Sequence, residues 1–492
     1  MHDVFFLKNV KFIKKPKCFA MKKITMLLLA CSAMGYSQCI TDVQSGEHFG
    51  IILKDDGTIS TWGNGLSTWG FLGLGPVGDI NTPTQVGDAT NWHTIFTGAF
   101  NSFGIKNNGT LWGAGNNETG ELGIGSSGSG NVSLVFVQAG TATNWKAVSG
   151  NRQHTIATRT DGTLWAWGSN QSGKLGIGNL DDKYVPTQIG TGTNWDKVST
   201  NLHTSYAIKT DGTMWSWGSN GSGALGQPFS DALSSPGQIG TDTDWEMIAG
   251  AKGGLHALAL KTDGSLFIFG GTWSTGTGAL GLGPDFEQGS MPLPTQIGTA
   301  EWAFVAAGYN SSYAVKTNGT LWAWGQNDKG QLGDGTTVDK NVPVQVGTAT
   351  DWAYVAAGMN HAYGVKTNGD LYAWGDNSLS QLGTGNTVST TTPALVYSCV
   401  GTVIAGTTAF VQVEAQMVPN PAQNNISIIF ESAVEADTAE VFDLAGRSVI
   451  KTNVMPVNNS ITLDVSHLAN GMYNVVIKNN NGVVLSKKLI KN

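Results

Sequence analysis

The chain has 492 residues, among them 67 glycines and 17 tryptophans, and charged residues make up 13% of it. That aromatic content excludes a disordered polymer, and the length indicates several domains or one large repeat array. The formal net charge of −7 becomes −13 without residues 1–37, which hold seven of the 28 basic and one of the 35 acidic residues. Such a balance argues against a nucleic-acid partner, because phosphate binding needs a basic face.

Residues 1–37 are predicted to be a leader. Lys22 and Lys23 precede the apolar run 24–30, and small residues follow it, a pattern typical of a secretory signal peptide over 21–37. The run is too short for a stable membrane span. Two alternatives stay open: residues 1–20 are a misassigned start, or Cys31 is a lipid attachment site.

A repeat of 50 to 55 residues follows the leader. Its first marker is the glycine that ends an aromatic motif, at Gly63, Gly115, Gly168, Gly218, Gly270, Gly325 and Gly375. A second marker keeps the same step, at Trp92, Trp145, Trp195, Trp245, Trp302 and Trp352. Self-similarity at this period indicates a propeller or a solenoid.

Each repeat is predicted to form strands joined by tight turns. In "YAIKTDGTMWSWG" two strands flank Thr210-Asp211-Gly212, a sequence typical of a hairpin turn. Helical periodicity is absent, and the two tryptophans of "LWAWG" fall on one face of a strand. We expect the repeated tryptophans to fill the space between neighbouring sheets, each removing about 200 Å² from water. Besides the second marker they are Trp62, Trp112, Trp165, Trp167, Trp215, Trp217, Trp322, Trp324 and Trp374.

The strings "LWAWGSNQSGKLGIG", "MWSWGSNGSGALG" and "LWAWGQNDKGQLGDG" resemble the repeat of the regulator of chromosome condensation family. The resemblance covers about residues 39–400 and implies a seven-bladed β-propeller, assigned here to 38–405. The family motif also places a histidine before the first hairpin strand, as at His154, His256 and His361. We expect buried imidazoles bonded to backbone, and neither a metal site nor a cofactor, because no compact ligand set appears.

Two cysteines remain after the leader, one at each end of the array. In an oxidising envelope an isolated pair favours a disulfide over a metal site. Cys39 and Cys399 are therefore predicted to form a disulfide across the seam where the first and last repeats meet.

The composition changes after about residue 405. We assign 406–415 to a linker and 416–492 to a small immunoglobulin-like β-sandwich, from alternating segments broken by Asn-Gly. This tail resembles the type A C-terminal sorting domain of type IX secretion. The resemblance implies recognition by an outer-membrane translocon, and secretion through the periplasm or display on the surface of a Gram-negative bacterium. The residues that carry it are Pro419, Asn420, Pro421, Asp443, Gly446, Arg447, Gly471, Tyr473, Lys487 and Lys488.

Two tryptophans fit neither repeat marker. Trp69 and Trp273 lie in insertions of the first and fifth repeats, and we consider them, with Phe229 and Phe286 in longer loops, as contacts for a ligand. The alternative is that each tryptophan folds back over its own blade.

The sequence therefore favours a secreted or surface-displayed propeller that binds an extracellular protein or polysaccharide, rather than an enzyme. An inhibitor-type propeller and a structural adhesin remain alternatives. A polysaccharide-acting enzyme would need paired carboxylates, for which the acidic loop residues are candidates. They are Asp79, Asp181, Asp182, Asp231, Asp285 and Glu287.

Overall fold

A computed structural model describes residues 39–65, 69–228, 231–273, 277–284, 289–399, 415–430, 436–442, 448–479 and 482–491. The predicted leader and almost all of the predicted linker lie outside these ranges. The described residues form strands throughout, with one short 3-10 turn at Gln171–Gly173. The all-β prediction is confirmed.

Twenty-eight strands form seven four-stranded antiparallel sheets, each a simple up-and-down meander. Sheet 1 contains β1 (Ile40–Ser45), β2 (Phe49–Lys54), β3 (Ile59–Gly63) and β4 (Ile80–Gln85). Sheet 2 contains β5 (Trp92–Thr97), β6 (Asn101–Lys106), β7 (Leu111–Asn116) and β8 (Val132–Gln138). Sheet 3 contains β9 (Trp145–Gly150), β10 (His154–Arg159), β11 (Leu164–Gly168) and β12 (Lys183–Gln188).

The remaining four sheets repeat this arrangement. Sheet 4 contains β13 (Trp195–Thr200), β14 (Thr204–Lys209), β15 (Met214–Gly218) and β16 (Leu233–Gln238). Sheet 5 contains β17 (Trp245–Gly250), β18 (Leu255–Lys261), β19 (Leu266–Gly271) and β20 (Ser290–Gln296). Sheet 6 contains β21 (Trp302–Ala307), β22 (Ser311–Lys316), β23 (Leu321–Gly325) and β24 (Lys340–Gln345). Sheet 7 contains β25 (Trp352–Ala357), β26 (His361–Lys366), β27 (Leu371–Gly375) and β28 (Thr390–Tyr397).

The seven sheets close into a ring. The first strand of each sheet contacts the first strand of the next, from β1 and β5 to β21 and β25, and β25 contacts β1. The first strands are therefore innermost and surround a central channel. We call the side that carries the turns between first and second strands, and the loops between third and fourth strands, the loop face.

The second aromatic residue of each pair joins neighbouring sheets. Trp62, Trp167, Trp217, Trp324 and Trp374 are fully buried. Each lies against a Leu-Gly glycine of the preceding sheet, and the Trp167 Nε1 also donates to the Glu121 carbonyl at 2.8 Å. At the seam the Trp62 Nε1 donates to the Gln381 carbonyl at 3.0 Å. The same contact therefore joins sheet 7 to sheet 1.

The prediction that all fifteen repeat tryptophans are core was wrong for the first member of the pair. Trp112, Trp165, Trp215 and Trp322 are only half-buried. A cation covers each ring, as where the Arg159 Cζ lies 3.6 Å from the Trp165 centroid. The Trp165 Nε1 donates to the Thr163 hydroxyl at 2.8 Å. The flat indole thus supports a cation close to the turn between the second and third strands.

The repeated histidines are buried as expected, and each Nε2 bonds a serine hydroxyl, with the expected backbone contact found for His256 at Ser311. The His154 Nε2 lies 3.0 Å from the Ser205 hydroxyl of the next sheet, and the His256 Nε2 lies 3.0 Å from the Ser312 hydroxyl. Burial lowers the pKa of His256 to about 4. These imidazoles are therefore neutral links between sheets at physiological pH.

The predicted disulfide between Cys39 and Cys399 is present in the structure. The two Cα atoms are 4.7 Å apart, across 360 residues of chain. The Cys39 carbonyl accepts from the Asp55 amide, and the Cys399 amide donates to Asp370, so each half is tied to a second-to-third-strand turn. The bond therefore closes the seam on the side opposite the loop face.

The described residues of the tail form seven further strands in two antiparallel sheets. One sheet has the order β29 (Ala415–Val418), β30 (Asn425–Phe430) and β33 (Ser460–Asp464). The other has the order β32 (Ser448–Asn453), β31 (Thr438–Phe442), β34 (Gly471–Asn479) and β35 (Gly482–Lys491). The two share one apolar core, while the immunoglobulin-like assignment stays a prediction.

The seam contact can be tested with a pair of glycine substitutions. Gly383 (φ +70°) and Gly347 (φ +60°) both have left-handed backbone, so alanine strains both similarly. A Cβ on Gly383 would lie 2.7 Å from the Trp62 indole, whereas a Cβ on Gly347 meets nothing within 4 Å. We expect Gly383→Ala to cost about 1–3 kcal/mol more than Gly347→Ala, by overpacking, in urea unfolding followed by tryptophan fluorescence. Equal losses would contradict the seam contact.

Candidate binding site at the mouth of the channel

The central channel encloses a cavity of about 420 Å³ lined by the first strands of all seven sheets. Alternate residues of each strand face it. In β1, Asp42 and Gln44 line the cavity, whereas the Val43 side chain between them is buried in the sheet packing. The loop-face end of this cavity is the mouth of the channel.

A buried ion pair crosses the mouth. The Arg152 Nε and Nη2 atoms donate to the Glu47 carboxylate at 2.6 and 2.9 Å. The Glu47 side chain is 1% exposed and the Arg152 side chain 35%. Glu47 comes from sheet 1 and Arg152 from sheet 3, so this bidentate pair links sheets that are not neighbours in the ring.

Lys252 forms a second link across the mouth. It belongs to the turn between β17 and β18 of sheet 5, and its Nζ donates to the Ser45 carbonyl of sheet 1 at 2.5 Å. It also donates to the Thr97 hydroxyl of sheet 2. Because sheet 5 is not adjacent to sheets 1 and 2, the Lys252 side chain extends over the channel.

The turn backbones around the mouth also bond to one another. The Glu47 amide donates to the Ala99 carbonyl at 3.0 Å, and the Met359 amide donates to the Glu47 carbonyl at 3.2 Å. The Leu202 and Tyr309 amides likewise donate to backbone carbonyls of the next turns. This network holds the side chains of the mouth on a rigid frame.

Trp273 lies at the edge of the mouth and is 46% exposed. Its indole stacks on Tyr309 of sheet 6, with the ring planes 13° apart, and its Nε1 donates to the Gly253 carbonyl at 3.0 Å. A Cβ at Gly253 would lie 2.5 Å from the Glu47 Oε1, so this glycine brings sheet 5 against the ion pair. Trp273 is thus fixed in place with part of its surface in solvent.

Trp69 is more enclosed than Trp273. It lies edge-on to Phe100 of sheet 2, with centroids 4.7 Å apart, beside the apolar cluster of Phe49, Phe71 and Leu72. The Arg152 guanidinium lies 5.5 Å from the Phe100 ring. Neither insertion tryptophan packs on its own sheet alone. We name Glu47, Phe100, Arg152, Trp273 and Tyr309 the mouth cluster.

Neutral imidazoles flank the mouth cluster. Burial is the largest cause that lowers the pKa of His48, and likewise of His203, which Lys174 and Arg152 lower further. Both rings are therefore uncharged at neutral pH. The Arg152 guanidinium, paired with Glu47, supplies fixed charge beside them.

The other candidates occupy different positions. Phe229, Phe286, Asp285 and Glu287 lie outside the described residues. Asp79 and Asp182 accept from the Gly65 and Asn170 amides, so each holds its own loop. Asp181 pairs with Lys183, and Asp231 is exposed.

The described sorting residues meet at the last strand of the tail. The Ile490 amide donates to the Asn420 Oδ1 at 2.8 Å, which places Pro419 and Pro421 beside the end of β35. Gly471 and Tyr473 pair with Lys491 and Leu489, and Lys487 and Lys488 belong to β35. Asp443, Gly446 and Arg447 lie outside the described residues.

Metal-ligand clusters and long apolar helices are absent from the described ranges. Those ranges contain no group of three or more His, Cys, Asp or Glu side chains placed to hold a metal ion. Within those ranges no helix is long and apolar enough to span a bilayer.

Three family models match parts of the chain. The regulator of chromosome condensation (RCC1) repeat matches residues 161–200, 318–365 and 368–415, and a second model of that repeat matches 145–174, 302–331 and 352–381. The secretion system C-terminal sorting domain matches residues 416–492. The chain thus contains RCC1 repeats and a C-terminal sorting domain, and the sorting domain implies export to the cell surface or outside.

Similar proteins support the propeller fold. The ultraviolet-B receptor UVR8 of Arabidopsis thaliana is 28% identical over 321 residues, 63% of this chain and 70% of the receptor. The probable E3 ubiquitin-protein ligase HERC3 of Homo sapiens is 38% identical, but the match covers 19% of this chain and 9% of the ligase. The solved structure of Prp20p from Saccharomyces cerevisiae has a TM-score of 0.60 at 19% identity, covering 74% of this chain and 88% of that one. Human WBSCR16 has a TM-score of 0.58 at 21% identity, covering 66% and 86%.

Sequence reasoning missed most of the mouth, although the repeat contains a signal for it. The turn after each first strand has one equivalent position, two residues beyond the strand, and its residue differs in every repeat. The seven residues are Glu47, Ala99, Arg152, Leu202, Lys252, Tyr309 and Met359. A position that varies inside a regular repeat is one whose residue type the repeat packing does not require.

The ion pair of the mouth can be tested by removing its cation. Arg152→Met leaves the Glu47 carboxylate buried without its partner, and we expect a loss of about 2 kcal/mol in urea unfolding. Adding Glu47→Gln to Arg152→Met should recover part of that loss, as a double-mutant cycle measures. Lys197→Met is the control, because the Lys197–Glu246 pair is exposed and should contribute less than about 1 kcal/mol. A loss no larger than that of the control would contradict the buried pair.

Proposed function

We propose that this protein is a secreted or surface-displayed seven-bladed propeller that binds an extracellular protein or polysaccharide through the mouth cluster. The observation that carries the proposal is the mouth itself, where seven different side chains occupy one repeat position beside an exposed tryptophan. A rigid ring that presents variable side chains is typical of a binding scaffold.

The chemistry of the mouth cluster suits recognition. Tryptophan, tyrosine and arginine dominate the energetics of binding surfaces. Trp273 and Tyr309 offer a stacked pair, of which Trp273 is 46% exposed, and Arg152 lies between Phe100 and Glu47. Their fixed positions reduce the entropy that a ligand would have to remove on binding. Trp273 is therefore favoured over the more enclosed Trp69 as the direct contact.

Export is proposed to use two signals. The signal peptide over residues 21–37 would direct the chain to the periplasm, and the immunoglobulin-like tail would direct it to the type IX translocon. The match of residues 416–492 to a sorting domain supports the second step. The disulfide between Cys39 and Cys399 suits an oxidising compartment.

Two of the acidic loop candidates are poorly placed for the enzyme alternative. Asp79 and Asp182 each bond a loop amide of their own sheet. Carboxylates committed to backbone donors are poorly suited to acid–base work on a glycosidic bond.

The binding proposal is tested with Trp273→Ala. Ligands found on a glycan array, or by pull-down from the natural habitat, are titrated against this variant and the parent chain. We expect at least tenfold weaker binding, because a partly exposed indole in a fixed position is lost. Tyr184→Ala is the matched control: Tyr184 is 42% exposed on β12, away from the mouth, and should change the Kd less than twofold. Equal Kd values for the two variants would exclude the mouth as the binding surface.

The export proposal is tested by deleting residues 416–492. We expect the truncated chain to accumulate in the periplasm with its disulfide formed, because the propeller carries both cysteines. Fractionation and protease treatment of intact cells locate the protein, and the full-length chain is the control. Surface exposure of the truncated chain would contradict a sorting role for the tail.

A further inference from the structure

The inside of the channel carries chemistry that the mouth cluster does not use. The innermost strands place their side chains in two layers. The layer farther from the mouth contains Asp42, Ala147, Phe304 and Tyr354. The layer nearer the mouth contains Gln44, Phe96, Ser149 and Ser199. The volume of about 420 Å³ is within the usual range for small-molecule sites.

Asp42 is an acid in an otherwise largely uncharged chamber. The Gln44 amide donates to its carboxylate at 3.1 Å, and the Val43 backbone also bonds it. Burial raises the pKa of Asp42 to about 7, while the contribution of Lys252 in the opposite direction is the smallest of the causes. A bound cation would stabilise the ionised form of this buried carboxylate.

Aromatic rings stand beside this acid. Phe304 and Tyr354 lie with their centroids 5.7 Å apart, on the sheets that precede sheet 1 in the ring. Asp42 contributes to raising the pKa of Tyr354 and is therefore close to that phenol. The Tyr354 hydroxyl is buried and lies beside the Val43 backbone. Aromatic faces next to a carboxylate are a recurrent means of holding organic cations.

The two ends of the cavity differ. Thr41, one residue before Asp42, lines the end away from the loop face and is exposed. At the other end Lys252 and the Glu47–Arg152 pair cross the channel. A small molecule would therefore enter from the side opposite the loop face.

We propose that the channel is a second binding site, which takes a small organic cation with its charged head at Asp42 and its apolar body against Phe96, Phe304 and Tyr354. This site is separate from the mouth cluster and does not depend on the function proposed for it. An amine or quaternary ammonium group is the chemistry that both the carboxylate and the ring faces recognise.

Lys252 does not occupy this site. Its Nζ donates to Ser45 and Thr97 at the mouth, and burial lowers its pKa to about 7. Lys197 is in the same layer as Asp42, but its Nζ bonds Glu246 of sheet 5. Lys197 is thus held by Glu246, and Lys252 is held at the mouth and loses its charge as the pH rises.

The test uses benzyltrimethylammonium, a permanent cation, in isothermal titration calorimetry with the full chain. Benzyl alcohol, which has the same ring but no charge, is the ligand control. We expect saturable binding of the cation and at least tenfold weaker binding of the alcohol. Absence of cation binding, or equal affinity for the two, would overturn the proposal.

Variants locate the site. Asp42→Asn keeps the shape of the side chain and should weaken cation binding at least tenfold, whereas Asp88→Asn, on the exposed surface, should leave it unchanged. Phe304→Leu should weaken binding while leaving Asp42 in place. Unfolding curves check that each variant is folded, and undiminished binding by folded Asp42→Asn would refute the assignment.

The pH dependence gives a further readout. A carboxylate whose pKa is about 7 is mostly protonated at pH 6 and mostly ionised at pH 8. Affinity for a permanent cation should therefore rise roughly tenfold from pH 6 to pH 8, and loss of charge on Lys252 acts in the same direction. An affinity that does not change over this range, or that falls, would contradict binding at Asp42.

Discussion

The contact between an indole and a glycine of the preceding sheet is the constraint on which the rest of this structure depends. At the glycines facing Trp62, Trp167 and Trp374, a side chain would occupy the space of the ring. The backbone there is also left-handed, which favours glycine for a second reason. Five of the seven sheets are fixed against the preceding sheet by this contact, and at the seam it joins sheet 7 to sheet 1.

Closure of the ring gives the channel its properties. The first strands converge, so turns far apart in sequence bond across the mouth, as Lys252 does with Ser45. Side chains on those turns do not take part in the repeated contact between tryptophan and glycine. The protein can therefore vary its mouth and the channel interior without altering the contacts that hold the sheets together.

Much of the fold was predictable from the sequence because its elements are local and repeated. The Asp-Gly turns, the spacing of the tryptophans and the pairing of Cys39 with Cys399 follow from short patterns. The differences came where two sheets meet. Trp165 follows the same strand pattern as Trp167, yet it lies half-buried under Arg159. His154 bonds Ser205, whose proximity depends on how adjacent sheets pack.

Residue types and their spacing were enough to predict an all-β repeat array, its sheet-to-sheet tryptophans, the cysteine pair and a sorting tail. Each of these features depends on residue type and spacing, which can be read directly from the sequence. Three contacts became visible only in the folded chain: Arg152 pairs with Glu47, Trp273 stacks on Tyr309, and Asp42 lies near Tyr354. Those contacts join residues separated by tens to hundreds of positions, and they exist because a closed ring brings every first strand to one axis.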